Sequence, residues 1–203
     1  MKKLLTKELI NRPDLIVIFD LIEEGSRVID LGCGEGILLY HLKKQKNCSV
    51  CGVEISQDKI IECITRGIPV IYGNLDNGLN DYPENSFDCV ILSQTLQAVA
   101  RPDKLLKDMM RVSKKSYISL INIGYIGARV QIAFAGKMPI TKSLPTPWYK
   151  TKNIHLSTII DFEILCYELG FKIEKRIPIS QYTFLSKLMP NLFSEMCVFV
   201  ISK

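Results

Sequence analysis

The sequence predicts an α/β three-layer sandwich built on a mostly parallel, seven-stranded sheet. Three observations carry that expectation. Short β-branched runs alternate with segments of helical periodicity along most of the chain, the pattern of successive βαβ units. One such run, VIDL, breaks directly into three glycines spaced two apart, Gly32, Gly34 and Gly36, as a strand does when it turns tightly into a helix. Another, FDCVILS from Phe87 to Ser93, is apolar through its middle, as required of a parallel strand covered on both faces.

The elements follow in order. Pro13 to Glu23 reads as an opening amphipathic helix, with proline tolerated in its first turn and Gly25 as its stop. Arg27 to Asp30 is a short buried strand, and Gly34 to Lys44 begins the next helix with Leu38, Leu39 and Leu42 turned inward. Ser49 to Glu54 is the second strand; a helix opened by Ser56 or Asp58 runs to Gly67, and Ile68 to Gly73 is the third strand. After the fourth strand come a helix from Pro102 to Val112 and a fifth strand from Lys115 to Leu120. Asn122 to Ser157, rich in glycine and proline, reads as irregular. A helix from Thr158 to Leu169 follows, with Asp161 completing a capping box and Gly170 ending it. Phe171 to Pro178 and Met196 to Lys203 close the sheet. The 203 residues suit a single domain, 1–203, with 122–157 as an insertion after the fifth strand.

Bulk properties narrow the function classes. A formal charge of +5, with the lysines scattered, describes a solvated surface rather than a nucleic-acid groove. The longest apolar run, Leu15 to Ile22, is too short to span a bilayer and contains Asp20. The opening MKKLLTKELINRP lacks the uninterrupted apolar core of an export leader. Seven cysteines, an odd number, suggest reduced thiols and a cytoplasmic setting. Cys48 and Cys51 form a CxxC, but on a strand positions three apart face opposite sides, so neither a metal site nor a disulfide is expected there.

The glycine loop joins the first strand to the first sheet-packed helix, where backbone amides and the positive helix end converge on a crevice. No GK[ST] follows it, as a P-loop requires, and the third glycine of a G-x-G-x-x-G fingerprint would fall at Ile37. The spacing D-x-G-x-G-x-G resembles that of class I S-adenosylmethionine-dependent methyltransferases. Glu54, ending the second strand, can accept hydrogen bonds from both hydroxyls of an adenosine ribose, and Ile55 is placed to lie against adenine. Asn74 stands where this superfamily usually has aspartate, and its amide oxygen can still accept from the adenine amino group. Asp30 is expected to order the loop and reach the ligand's amino group through water. Cys33, Leu75 and Ser93 complete the candidate cofactor-binding set with Asp30, Gly32, Gly34, Gly36, Glu54, Ile55 and Asn74. No catalytic residue and no metal ligand is identified.

SRVIDLGCGEG, CGVEIS, FDCVILSQTLQAVARPD, GKMPITKSLPTPWYKTKNIHLSTIIDFE and the opening NRPDL together resemble the methionine biosynthesis protein MetW family, from about Arg12 to Pro178. The resemblance implies a Rossmann-like methyltransferase fold, S-adenosylmethionine or S-adenosylhomocysteine as ligand, and action with a homoserine O-acyltransferase. A self-sufficient small-molecule methyltransferase is the alternative. Against it, SQTLQAV after the fourth strand contains nothing that titrates near neutral pH. Of the two histidines, His41 reads as a helix-face residue, and His155 as either site wall or helix cap. For the segment 122–155, a closed lid would point to a small substrate and an exposed apolar platform to a protein partner; Met138, Trp148 and Tyr149 suit either.

Overall fold

The computed structural model describes Leu9 and residues 11–203; most of the amino-terminal stretch read against an export leader lies outside them. Its elements are α1 (Pro13–Leu21), β1 (Arg27–Leu31), α2 (Ile37–Lys46), β2 (Ser49–Glu54), α3 (Gln57–Thr65), β3 (Val70–Tyr72), β4 (Phe87–Ser93), α4 (Pro102–Val112), β5 (Ser113–Ile121), α5 (Ile126–Ala135), α6 (Ile159–Glu168), β6 (Lys172–Ile179), α7 (Thr183–Leu188), α8 (Pro190–Phe193) and β7 (Met196–Ser202). The strands form one seven-stranded sheet in the order β3-β2-β1-β4-β5-β7-β6, antiparallel only where β7 meets β5 and β6.

Strand alternation divides the core between the two faces. On β7, Cys197, Phe199 and Ile201 join Leu105, Leu106 and Met109 of α4 and Ile159 and Phe162 of α6. Val198 and Val200 face the other way, into the layer of Ile18 and Phe19 from α1 and Leu38, Leu39 and Leu42 from α2. The Phe162 and Phe199 rings meet with centroids 4.6 Å apart. The expected capping box at α6 is present: Thr158 Oγ1 accepts from the Asp161 amide, and Asp161 accepts from the Thr158 amide.

Two stretches differ from the sequence expectation. Asn122 to Ser157 is not irregular throughout, because it contains α5. Gly127 lies in the first turn of that helix, and Gly136 is its left-handed C-cap at φ 60°; neither interrupts it. Of α5, only Ala128 is buried, so no apolar periodicity marks it. The short α7 and α8, between the last two strands, also lie where no element was predicted.

Phe199→Ala should cost about 3–5 kcal/mol, the usual range for emptying a buried aromatic site. Thr158→Ala should cost about 1 kcal/mol through the lost cap. Urea unfolding of the two variants reads both values, and the order Phe199 before Thr158 is the outcome expected.

Candidate functional site

Strand order reverses between β1 and β4, so the chain leaves these neighbours on opposite sides and opens a crevice at their carboxyl ends. A cavity of about 620 Å³ occupies that position. Asp30, Gly32, Cys33, Gly34, Glu54, Ile55, Asn74, Leu75 and Ser93 all line it. Gly36 does not; it caps the start of α2 in a left-handed conformation.

The glycines differ in what they accommodate. Gly32, Gly34 and Gly36 all have positive φ, at 75°, 60° and 71°, a region that L side chains avoid. A Cβ on Gly32 would lie 2.7 Å from Thr95 Oγ1, and one on Gly36 would lie 2.9 Å from Cys63 Sγ. A Cβ on Gly34 would meet nothing within 4 Å. Gly32 and Gly36 are therefore packing glycines, whereas Gly34 borders open space.

Glu54 holds the loop in place. Its carboxylate accepts from the Gly34 amide at 2.9 Å and from the amides of Ile55 and Ser56 at 2.9 and 3.0 Å. Asn74 Oδ1 accepts from the Asp76 amide, capping a 3-10 turn over 75–77. Asp30 is different. It is 3% exposed, and its Oδ1 has no hydrogen-bond partner among the described residues. Burial raises its pKa to about 7; the Arg12 guanidinium opposes that rise, and the Glu54 and Asp14 carboxylates add to it.

The structure brings in residues that the motif reading missed. Arg12 lines the cavity and pairs with Asp14 through Nε and Nη2, each at 3.0 Å, and it also donates to Ser93 Oγ. Asp14, fully buried, further accepts from Ser93 and Ser119 at 2.9 and 2.7 Å. Burial alone would raise the Asp14 pKa, but Arg12, through hydrogen bonding and charge, and the two serine hydroxyls outweigh it and leave it below its ordinary value. Gln94 lies on the cavity wall with φ 53°, a left-handed conformation uncommon outside glycine and typical of constrained sites. Gln97 is buried and bonds both ways with the end of β5, donating to the Ile121 carbonyl and accepting from its amide. Its own carbonyl receives the amides of Ile154 and His155. The NRPDL opening contained a signal for Arg12 and Asp14, an acid–base pair beside an apolar helix; the fold was needed to place it against Ser93.

The two histidines stand outside the cavity lining. His41 is buried on α2, with Gln45 Nε2 2.7 Å from its Nδ1. The His155 ring is exposed, 3.4 Å from the Ala100 carbonyl just ahead of α4. Of the segment 122–157, Lys152 and Asn153 reach the cavity. Phe134, Trp148 and Tyr149 are 87%, 70% and 66% exposed, and the Trp148 and Tyr149 rings meet edge to face with centroids 5.9 Å apart. Cys48 and Cys51 are both free thiols. Among the described residues, no group of three or more His, Cys, Asp or Glu side chains is arranged to hold a metal, and no helix is long and apolar enough to cross a membrane.

The family model described as methionine biosynthesis protein MetW matches residues 12–201. The bifunctional methionine biosynthesis protein MetXA/MetW of Rhodopirellula baltica is 33% identical over 169 residues, covering 79% of this chain but 27% of that protein; the chain thus spans about a quarter of that relative. An S-adenosylmethionine-dependent methyltransferase from Mesorhizobium loti superposes with a TM-score of 0.70 at 21% identity, over 94% of this chain and 96% of that one. A possible histamine N-methyltransferase from Thermotoga maritima gives 0.68 at 18% identity, over 97% and 90%. These likenesses establish the Rossmann-like methyltransferase fold.

A carboxyl whose folded pKa is raised stabilises the fold below its unfolded pKa, and that contribution is lost as pH rises through the folded value. For Asp30, with an ordinary value of 3.8 and a folded value of about 7, the loss falls between pH 4 and 7. Its slope is at most about 1.4 kcal/mol per pH unit. Denaturation midpoints of Asp30→Asn against wild type across that range should show this slope in wild type and its absence in the variant.

Proposed function

The chain belongs to the MetW family of methionine biosynthesis proteins, and on that premise we propose that it binds S-adenosylmethionine or S-adenosylhomocysteine in the β1–β4 crevice and acts with a homoserine O-acyltransferase. The observation that carries the ligand is Asp30: a buried carboxylate oxygen without a hydrogen-bond partner among the described residues, facing a cavity bordered by a glycine whose missing Cβ leaves open space. Burying a polar atom without a hydrogen bond costs free energy, and a ligand ammonium would relieve that cost.

The other lining groups suit the rest of the molecule. Arg12 would take the carboxylate at the same end, held there by Asp14. Glu54 has accepting capacity left for the ribose hydroxyls, and Ile55 and Leu75 offer apolar surface to adenine. Asn74 retains one lone pair beside its cap. When bound, the cofactor would supply an electrophilic methyl on a sulfonium. The chain's part would be to bind, orient and exclude water from the buried end of the site.

For the partner, the support comes from two directions. The Rhodopirellula baltica relative carries a MetW part and a MetXA part in one chain, as its name states. The exposed Phe134, Trp148 and Tyr149 of this segment are side chains of the kind that anchor protein interfaces. A cytoplasmic location fits such a role. The alternative, an independent small-molecule methyltransferase, draws on the fold alone, and fold does not determine activity.

Isothermal calorimetry tests the ligand. Wild type should bind S-adenosylhomocysteine and not NAD; the reverse would overturn the assignment. Glu54→Ala should lose about ten- to a hundredfold in affinity, the cost of a charged hydrogen-bond partner. Gly34→Val, strained at φ 60° but with open space around it, should still fold and fail to bind, whereas Gly32→Val should be destabilised further, because its side chain also strikes Thr95.

The partner is tested by pull-down of the host's homoserine acyltransferase with and without S-adenosylmethionine. A ligand shifts docking only by its differential affinity for the two states, so a coupling of about 1–3 kcal/mol is expected. Trp148→Ala should weaken docking directly, and Glu54→Ala should remove its dependence on the ligand. If both variants dock as wild type does, and the chain alone methylates a metabolite, the enzyme reading replaces this one.

A further inference from the structure

The ligand reading leaves two thiols of the cradle without a role. Cys33 sits between Gly32 and Gly34 and lines the cavity, while Cys63 on α3 is fully buried. Their sulfurs are 3.8 Å apart. The Cys63 thiol also donates to the Gly34 carbonyl at 3.1 Å. Glycines make the room for this pair. A Cβ on Gly52 would lie 2.4 Å from the Cys33 sulfur, and one on Gly36 would lie 2.9 Å from that of Cys63. The pair is unrelated to the CxxC at Cys48 and Cys51, whose members diverge.

We propose that Cys33 and Cys63 form a reversible oxidation site inside the ligand cradle, a dithiol that a hydroperoxide converts to a disulfide. The Cys33 sulfur, as thiolate, attacks one peroxide oxygen; the O–O bond breaks, an alcohol or water leaves with a proton, and Cys33 becomes a sulfenic acid. The Cys63 sulfur then attacks the Cys33 sulfur, expelling the hydroxyl group as water. In sum, two thiols lose two electrons and two protons, and the peroxide is reduced to alcohol and water. A dithiol reductant reverses the step.

Cys33 is the entry point because it borders the cavity, and Cys63 resolves from within. Burial, reinforced by the Asp30 carboxylate, pushes the Cys33 thiol up, so attack draws on a small thiolate fraction and requires sustained exposure to oxidant. Its consequence follows from geometry. A disulfide has sulfurs about 2.05 Å apart, so closure from 3.8 Å must move one side. Cys63 is fully buried in the last turn of α3, and the glycine-flanked Cys33 is the side that yields. That motion pulls on Gly34, which Glu54 holds at 2.9 Å, and deforms the ligand-facing backbone. A ligand seated in the cavity would cover Cys33 and protect it.

This consequence for binding rests on the ligand reading above; the cross-link itself does not. The experiment treats the full chain with hydrogen peroxide, alkylates the remaining thiols, and maps peptides by mass spectrometry. A second portion is titrated with S-adenosylhomocysteine. The result expected is a Cys33–Cys63 cross-link, with affinity reduced by about tenfold or more and restored by dithiothreitol. Pre-bound S-adenosylhomocysteine should suppress the cross-link, and Cys63→Ser should not form it. Free, alkylatable Cys33 and Cys63 after treatment would overturn the proposal, as would a cross-link that leaves affinity unchanged. Failure of the untreated protein to bind S-adenosylhomocysteine overturns the ligand reading instead, and the peptide map still judges the thiols.

Discussion

A buried carboxylate stays charged only where enough donors converge on it, and Asp14 is where that requirement organises this molecule. Its two oxygens gather the Arg12 guanidinium, the Ser93 hydroxyl from the end of β4 and the Ser119 hydroxyl from β5. One side chain thereby fixes the opening helix over the carboxyl ends of two adjacent strands and turns a cation toward the crevice between β1 and β4. Asp30, on the neighbouring strand, shows the opposite condition, burial with one oxygen that has no hydrogen-bond partner among the described residues. The satisfied acid builds the wall, and the other lines the cavity beside it.

Glu54 connects these acids to the backbone. By accepting from the Gly34 amide and from the two amides that follow its own strand, it sets the shape of a loop whose glycines would otherwise have much freedom. The site is thus largely preorganised by the chain's own hydrogen bonds. This is the architecture of a site that works by positioning.

The parts legible from sequence were those governed by local rules. The glycines after VIDL, the continuous apolar β4, the acid ending β2 and the Thr158–Asp161 box each carry a short-range signal, and the sheet with its crevice follows from their order. The rest depended on distance in space. Arg12 and Asp14 gain meaning only against Ser93 and Ser119, some eighty and a hundred residues away. Gln97 ties β5 to the chain at Ile154 and His155, which no spacing reveals. The α5 helix was hidden because it buries so little of itself that its periodicity says nothing about a core. Cys33 and Cys63 meet only because two glycines elsewhere stand aside.

The antiparallel β7 carries a consequence for biosynthesis. It follows β6 in the chain, yet it lies between β6 and β5 and supplies the ladder on both sides. β6 is therefore synthesised before the strand it must pair with, by about twenty residues, roughly a second or more at ordinary elongation rates. Until β7 joins them, the edges of β5 and β6 are both open, and the core beneath α4 and α6 lacks Cys197, Phe199 and Ile201. The nascent chain is then most exposed to chaperones and to mispairing with its neighbours, and the arrival of a single late strand closes both edges at once.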